Sequence, residues 1–103
     1  QQLRDDALAA QAAGAAMVLF EMVPAALAAE ITRSLAVPTI GIGAGVDCDG
    51  QILVCYDMIG LTPGKRPRFA QDFLAGRGSL AEAVRAYADA VRTRAYPTPA
   101  QSY

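Results

Sequence analysis

MVLFEMVPAALAAEITRSLAVPTIGI, residues 17 to 42, holds two short apolar runs separated by helix-forming residues. Met17 to Phe20 is continuous rather than alternating, the pattern of a strand covered on both faces in a parallel sheet. Pro24 stands at the tolerated first position of a helix, and Leu27, Ile31 and Leu35 recur every four residues to make that helix's buried face. Val37 to Ile42 reads as the next strand. Strand, helix, strand at this spacing predicts a right-handed parallel crossover, which sets the class as α/β.

The flanks extend the same alternation. Residues 2 to 13, QLRDDALAAQAA, are strong helix formers with an apolar stripe of Leu3, Ala7, Leu8 and Ala12, and Gly14 stands where a helix stop is expected. Ile52 to Tyr56 reads as a third strand, followed by a loop from Met58 to Arg66 that carries Gly60, Pro63 and Gly64. Two further helices are predicted. The second starts at Ser79, with Glu82 completing a capping box and with Leu80, Val84, Tyr87 and Val91 as its apolar stripe. The tail YPTPAQSY, residues 96 to 103, holds two prolines and is expected to lie extended over the body.

Composition narrows the function classes. With 53% hydrophobic residues, a net charge of -1 and only nine Lys and Arg, the 103 residues describe one soluble globular unit without the basic face that phosphate-backbone binding requires. No apolar run approaches the ~20 residues of a membrane span, and nothing reads as a signal peptide, so the expected location is the cytoplasm. Cys48 and Cys55 have six residues between them and no histidine to join them, which supports neither a redox CxxC pair nor a zinc site. Both read as free thiols in a reducing compartment.

Two stretches bear on chemistry. Glu21 closes the first strand, where it is either a solvated strand end or a carboxylate aimed into a pocket as a general base. In PTIGIGAGVDCDGQILV, residues 38 to 54, the glycines alternate and lead into a strand rather than a helix, so a dinucleotide-binding turn is excluded. Gly41, Gly43 and Gly45 leave one face without side chains, for tight packing against neighbouring elements or for a small ligand approaching the backbone. Asp47, Asp49 and Asp57 are possible metal ligands, but turn chemistry accounts for an Asp-Gly pair.

LFEMVPAALAAEIT (19 to 32), VPTIGIGAGVDCDGQILVCYDMIGL (37 to 61), RFAQDF (68 to 73) and YPTPAQSY together resemble the C-terminal part of the ketopantoate hydroxymethyltransferase family. The resemblance implies strands six to eight of a TIM (β/α)8 barrel, with residues 1 to 103 forming the C-terminal part of a single domain. A complete barrel takes ~200 residues or more, so this chain is too short to close one. The implied reaction moves a hydroxymethyl group from 5,10-methylenetetrahydrofolate to 3-methyl-2-oxobutanoate and gives 2-dehydropantoate, in pantothenate synthesis. The implied general base is the glutamate of the E-x-V-P motif, here Glu21, since barrel active sites sit at the C-terminal ends of the strands. The family uses magnesium, which as a Lewis acid stabilises the enolate of the bound keto acid.

The resemblance also sets limits. The family's metal ligands and its substrate-binding serine and lysine lie on earlier strands, so none is carried onto this chain, and Asp47, Asp49 and Asp57 are not assigned as ligands. Gln101 stands where the family usually has a histidine. KRPR, residues 65 to 68, reads first as a solvated loop and second as a contact for a folate glutamate tail. The implied partners are small-molecule substrates, the N-terminal part of the barrel and further copies in a homo-oligomer; nucleic acid and membrane are not expected. Alone, the chain is expected to be inactive. The alternative reading is a non-catalytic α/β module that binds a ligand at the glycine-rich strand or self-assembles through its alanine-rich helices.

Overall fold

A computed structural model describes residues 1–103. Three parallel strands form one sheet in the order β1 (Val18–Glu21), β2 (Thr39–Ile42), β3 (Gly50–Gln51), with Glu21 paired to Ile42 and Gly41 to Gln51. Helix α1 (Gln2–Ala12) precedes β1, and α2 (Ala25–Ser34) makes the crossover from β1 to β2. The α/β class and the parallel crossover thus stand as the sequence pattern predicts. Gly14 terminates α1 with φ +98°, a conformation that glycine adopts without a Cβ penalty.

One face of the sheet is covered. Phe20 packs there with Ala7, Val23, Ala28, Ile31, Ala44 and Cys48, and Val18, Leu27 and Leu35 close over this core. The other face is open along β1, and the expectation that β1 is buried on both sides fails here: Leu19 is 53% exposed and Met17 56%. Side chains alternate along a strand, so the neighbours of Phe20 in sequence point to the uncovered side. Parallel register puts Leu19 beside the half-buried Ile40, and Glu21 beside Ile42, which is itself buried. With a radius of gyration of 14.5 Å the chain is more extended than the ~13 Å of a closed domain of this length.

The third strand differs from its predicted span. The last rung is the Ile52 N–H bond to the Gly41 carbonyl, and β2 offers no further partner along the edge. The apolar run therefore leaves the sheet, and Cys55–Met58 forms a short helix, α3, rather than strand. Asp49 fixes where β3 begins. Its carboxylate accepts the Thr39 N–H at 2.8 Å, its own N–H donates to Thr39 Oγ1 at 3.2 Å, and the fully buried Thr39 hydroxyl also meets Thr32 Oγ1 at 2.8 Å.

After the loop only one helix follows, α4 (Leu80–Arg92), in place of the two predicted. Residues 67 to 78 run as turns, because the Asp72 carboxylate takes the Leu74 and Ala75 N–H groups at 2.9 and 3.1 Å and so competes with helix formation. Ser79 caps α4 as expected by accepting from the Glu82 N–H, but Glu82 reaches past the cap to the Gly78 N–H. The predicted apolar stripe holds in part, since Tyr87 and Val91 pack against the second core. Ala83 is fully buried while Leu80 and Val84 are 57% and 49% exposed, since only a methyl group fits against the second core. That core is built on Phe73, Tyr87 and Tyr96, whose rings meet edge to face at 5.4 to 5.8 Å. The tail is not fully extended: Pro99–Gln101 forms a 3₁₀ turn beyond the buried Tyr96.

Candidate functional site at the carboxyl end of the sheet

Glu21 is the last residue of β1 and is exposed on the uncovered face, at the carboxyl end of the parallel sheet beside Ile42. None of the chain's salt bridges engages it. Immediately after it the backbone turns through Met22 at φ +53°, a left-handed conformation that costs a residue with a side chain roughly 1–2 kcal/mol. The Met22 N–H closes the turn on the Ile42 carbonyl at 2.9 Å, and Pro24 then caps α2.

The three glycines answer to packing by the chain itself. Only Gly41 lies within β2; Gly43 and Gly45 follow it at φ +63° and +83°. A methyl group at Gly41 would meet Cys48 Sγ at 2.9 Å, one at Gly43 would meet Phe69 Cδ1 at 2.5 Å, and one at Gly45 would meet the Ala25 Cβ at 2.5 Å. All three directions are thus filled by protein side chains. Of the two alternatives, packing by the chain itself accounts for the close approach at Gly41, Gly43 and Gly45, and Cys48, Phe69 and Ala25 make it.

The tail reaches the same corner. The Ala25 N–H donates to the Tyr103 carbonyl at 2.9 Å, and Arg68 donates to the Ser102 carbonyl at 3.0 Å while its guanidinium lies 4.7 Å over the Tyr103 ring. Gln101 donates to Gln71 Oε1 at 2.8 Å and accepts the Thr98 N–H at 2.9 Å, so glutamine supplies both a dock and a turn at this position. KRPR is exposed throughout, as the solvated-loop reading expects, while Arg66 donates to the Gly60 and Thr62 carbonyls and Arg68 to the Ser102 carbonyl of the tail. Arg68 and Tyr103 are 35 positions apart, and no spacing rule in the sequence joins them.

The aspartates lie apart from one another in their bonding. Asp49 serves Thr39, Asp57 is buried and accepts from the Thr62 hydroxyl, and Asp47 pairs with Arg94. No three Cys, Asp or Glu side chains gather as a metal site, so the residues present do not fit a magnesium ion. Cys48 and Cys55 are free, the first buried and the second exposed. Burial pushes the Cys48 thiol up, against hydrogen bonds from Thr39 and Thr32 that lower it, so this sulfur is a packing group under Gly41. No helix is long and apolar enough to cross a membrane.

Fold and site together define an α/β protein with a carboxylate exposed at the carboxyl end of a parallel sheet. The sequence model of ketopantoate hydroxymethyltransferase matches residues 1–99, and the chain belongs to that family. It is 54% identical over 103 residues to the 3-methyl-2-oxobutanoate hydroxymethyltransferase of Nitrosospira multiformis, covering 100% of this chain and 39% of that protein. The Cupriavidus taiwanensis protein of the same name is 57% identical over 102 residues, covering 99% of this chain and 37% of the relative. A Burkholderia cenocepacia relative, 3-methyl-2-oxobutanoate hydroxymethyltransferase 1, is 54% identical over 102 residues. The chain therefore spans less than half the length of the curated relatives it matches.

Proposed function

We propose that residues 1 to 103 supply the sixth to eighth strand region of a (β/α)8 barrel that transfers a hydroxymethyl group from 5,10-methylenetetrahydrofolate to 3-methyl-2-oxobutanoate, with Glu21 as the general base. The observation that carries the reading is the place of Glu21: at the carboxyl end of a parallel strand, on the sheet face that this chain leaves uncovered. In a barrel that face lines the interior, and that end holds the active site. Family membership supplies the reaction class.

The work asked of Glu21 is one proton transfer. The C3–H bond of the keto acid breaks, the proton passes to a carboxylate oxygen, and the electron pair enters the conjugated enolate. C3 then bonds to the one-carbon unit as the two C–N bonds that tie it to the folate break, with water supplying the hydroxyl oxygen and tetrahydrofolate leaving with the protons from C3 and from that water. A rigid strand suits the task, because the acceptor oxygen must stay within hydrogen-bond reach of a single C–H group. The magnesium that the family resemblance implies has no site among these residues, and its ligands belong to the remaining part of the longer protein in this reading.

Glu21→Gln in the intact protein tests it. The amide keeps the shape and removes the basic oxygen, so turnover falls on the order of 10²-fold or more, the usual scale for a general base. Hydroxymethyl transfer at an unchanged rate would refute the assignment.

A further inference from the structure

Glu21 is followed by a corner that its own sequence does not favour. Met22 is held left-handed, and nothing in Met22 itself prefers φ +53° to the ordinary right-handed regions. Such a conformation persists only where surrounding contacts over-determine it. Those contacts form a closed circuit that passes through the tail.

From Glu21 the chain runs through Met22 and Pro24 to Ala25, whose N–H is held by the Tyr103 carbonyl at 2.9 Å. Tyr103 lies under the Arg68 guanidinium, and Arg68 also holds the Ser102 carbonyl. The next residue, Phe69, is buried with its ring against Gly43, and its carbonyl accepts the Tyr96 hydroxyl. Gly43 follows Ile42, which is paired with Glu21 and accepts the Met22 N–H. Each link of the circuit is a contact or a step along the chain, and its two ends are β1, which carries the carboxylate, and β2 beside it.

We propose that Arg68 and Tyr103 are positioning residues for the Glu21 carboxylate, with the tail acting as a strap that holds the Met22 corner. The inference rests on the reading of Glu21 as general base. The strap touches no reacting atom. Its effect is geometric: without it the left-handed turn relaxes, the strand end moves, and the acceptor oxygen leaves the line of the C–H bond. Binding of the keto acid does not depend on that alignment, so the proton-transfer rate falls while KM is kept.

The test uses the intact protein and follows loss of the C3 hydrogen of 3-methyl-2-oxobutanoate to D2O by NMR, with steady-state transfer and thermal unfolding in parallel. Arg68→Gln and Tyr103→Ala are expected to slow exchange and kcat roughly tenfold, the scale of a misplaced catalytic group, with KM within about twofold and the unfolding midpoint above the assay temperature. Tyr103→Phe keeps the ring under Arg68 and restores the rate. Arg68→Lys keeps a donor for Ser102 but loses the plane over the ring, and it restores the rate only in part. Wild-type exchange in both Arg68→Gln and Tyr103→Ala overturns the proposal, as does a rate loss that only tracks the unfolded fraction. Glu21→Gln in the same assay separates the two readings: full exchange in that variant refutes the base itself, whereas abolished exchange alongside wild-type strap variants refutes only the strap.

Discussion

Gly43→Ala isolates what the close approach of Phe69 contributes. Two costs are expected. Gly43 sits at φ +63°, where a residue with a Cβ loses roughly 1–2 kcal/mol. The new methyl also falls 2.5 Å from Phe69 Cδ1 and 2.9 Å from Cε1, well inside contact distance, and overpacking of this kind costs about 1–3 kcal/mol. Gly64→Ala is the control, since Gly64 has φ +74° and no atom within 4 Å of the added methyl; it shows the backbone cost alone. Urea unfolding of the intact protein, read as midpoint at constant slope, then gives Gly43→Ala a loss about 1–3 kcal/mol larger than Gly64→Ala. Phe69→Ala completes a double-mutant cycle. With the ring gone, the Gly43 methyl enters vacated space, so the double variant is less destabilised than the sum of the singles by about 1–3 kcal/mol. Additivity within about 0.5 kcal/mol would show that Phe69 does not pack against Gly43, and with it would go one link of the strap.

Two further outcomes follow from the buried polar groups. Burial raises the Cys48 thiol above its ordinary 9.0 and the Tyr87 and Tyr96 phenols above 10.0, with the Tyr87 and Asp57 charges adding to the rise at Tyr96. In each case the folded chain holds the neutral form while the unfolded chain ionises, so unfolding releases protons. Their contribution is fully present below pH 9.0 and is lost as pH rises through the thiol and phenol range. Tyr96→Phe flattens the part of that decline above pH 10.0, and an unfolding free energy that stays constant across the range would refute the assignment. Asp49→Ala strips the fully buried Thr39 of the acceptor for its N–H and is expected to cost about 1–3 kcal/mol, with Asp49→Asn costing less because one acceptor oxygen remains. Equal thermal midpoints for wild type and Asp49→Ala would show that solvent replaces the carboxylate.

Much of this arrangement is legible in the sequence, and the failures have local causes. The crossover through α2 shows because Pro24, Leu27 and Ile31 carry both a start signal and a period. The sequence pattern puts the third strand too late because Ile52, Leu53 and Val54 have strand character of their own, whereas a strand needs a partner, and β2 ends at Ile42. Leu53 instead packs beside the aromatic core, with Ile52 and Val54 42% and 50% exposed. The α4 face is legible through Tyr87 and Val91 but not at Ala83, because alanine is ambiguous in a hydrophobic pattern. Ala83 is chosen by size against Phe73 and Tyr96, and size selection leaves no period to read. At the site, Glu21 stands out through its motif, but the contacts that hold its corner join residues far apart in the chain.

The uncovered face ties these points together. Met17 to Phe20 has the composition of a strand buried on both sides, yet only Phe20 is buried in the chain as it stands. A sheet that leaves Leu19 exposed beside the half-buried Ile40 is built for a cover, and in the proposed barrel the other strands supply it. Glu21 lies at the carboxyl rim of that same side. The open surface along β1 is thus the surface that carries the proposed base. The aspartates point the same way, because Asp47, Asp49 and Asp57 are each committed to holding this chain's own loops and strand starts. In the proposed enzyme, burial of the strand interior and assembly of the reacting groups are then one event: the strands that cover Leu19 also enclose the space in which Glu21 meets its C–H bond.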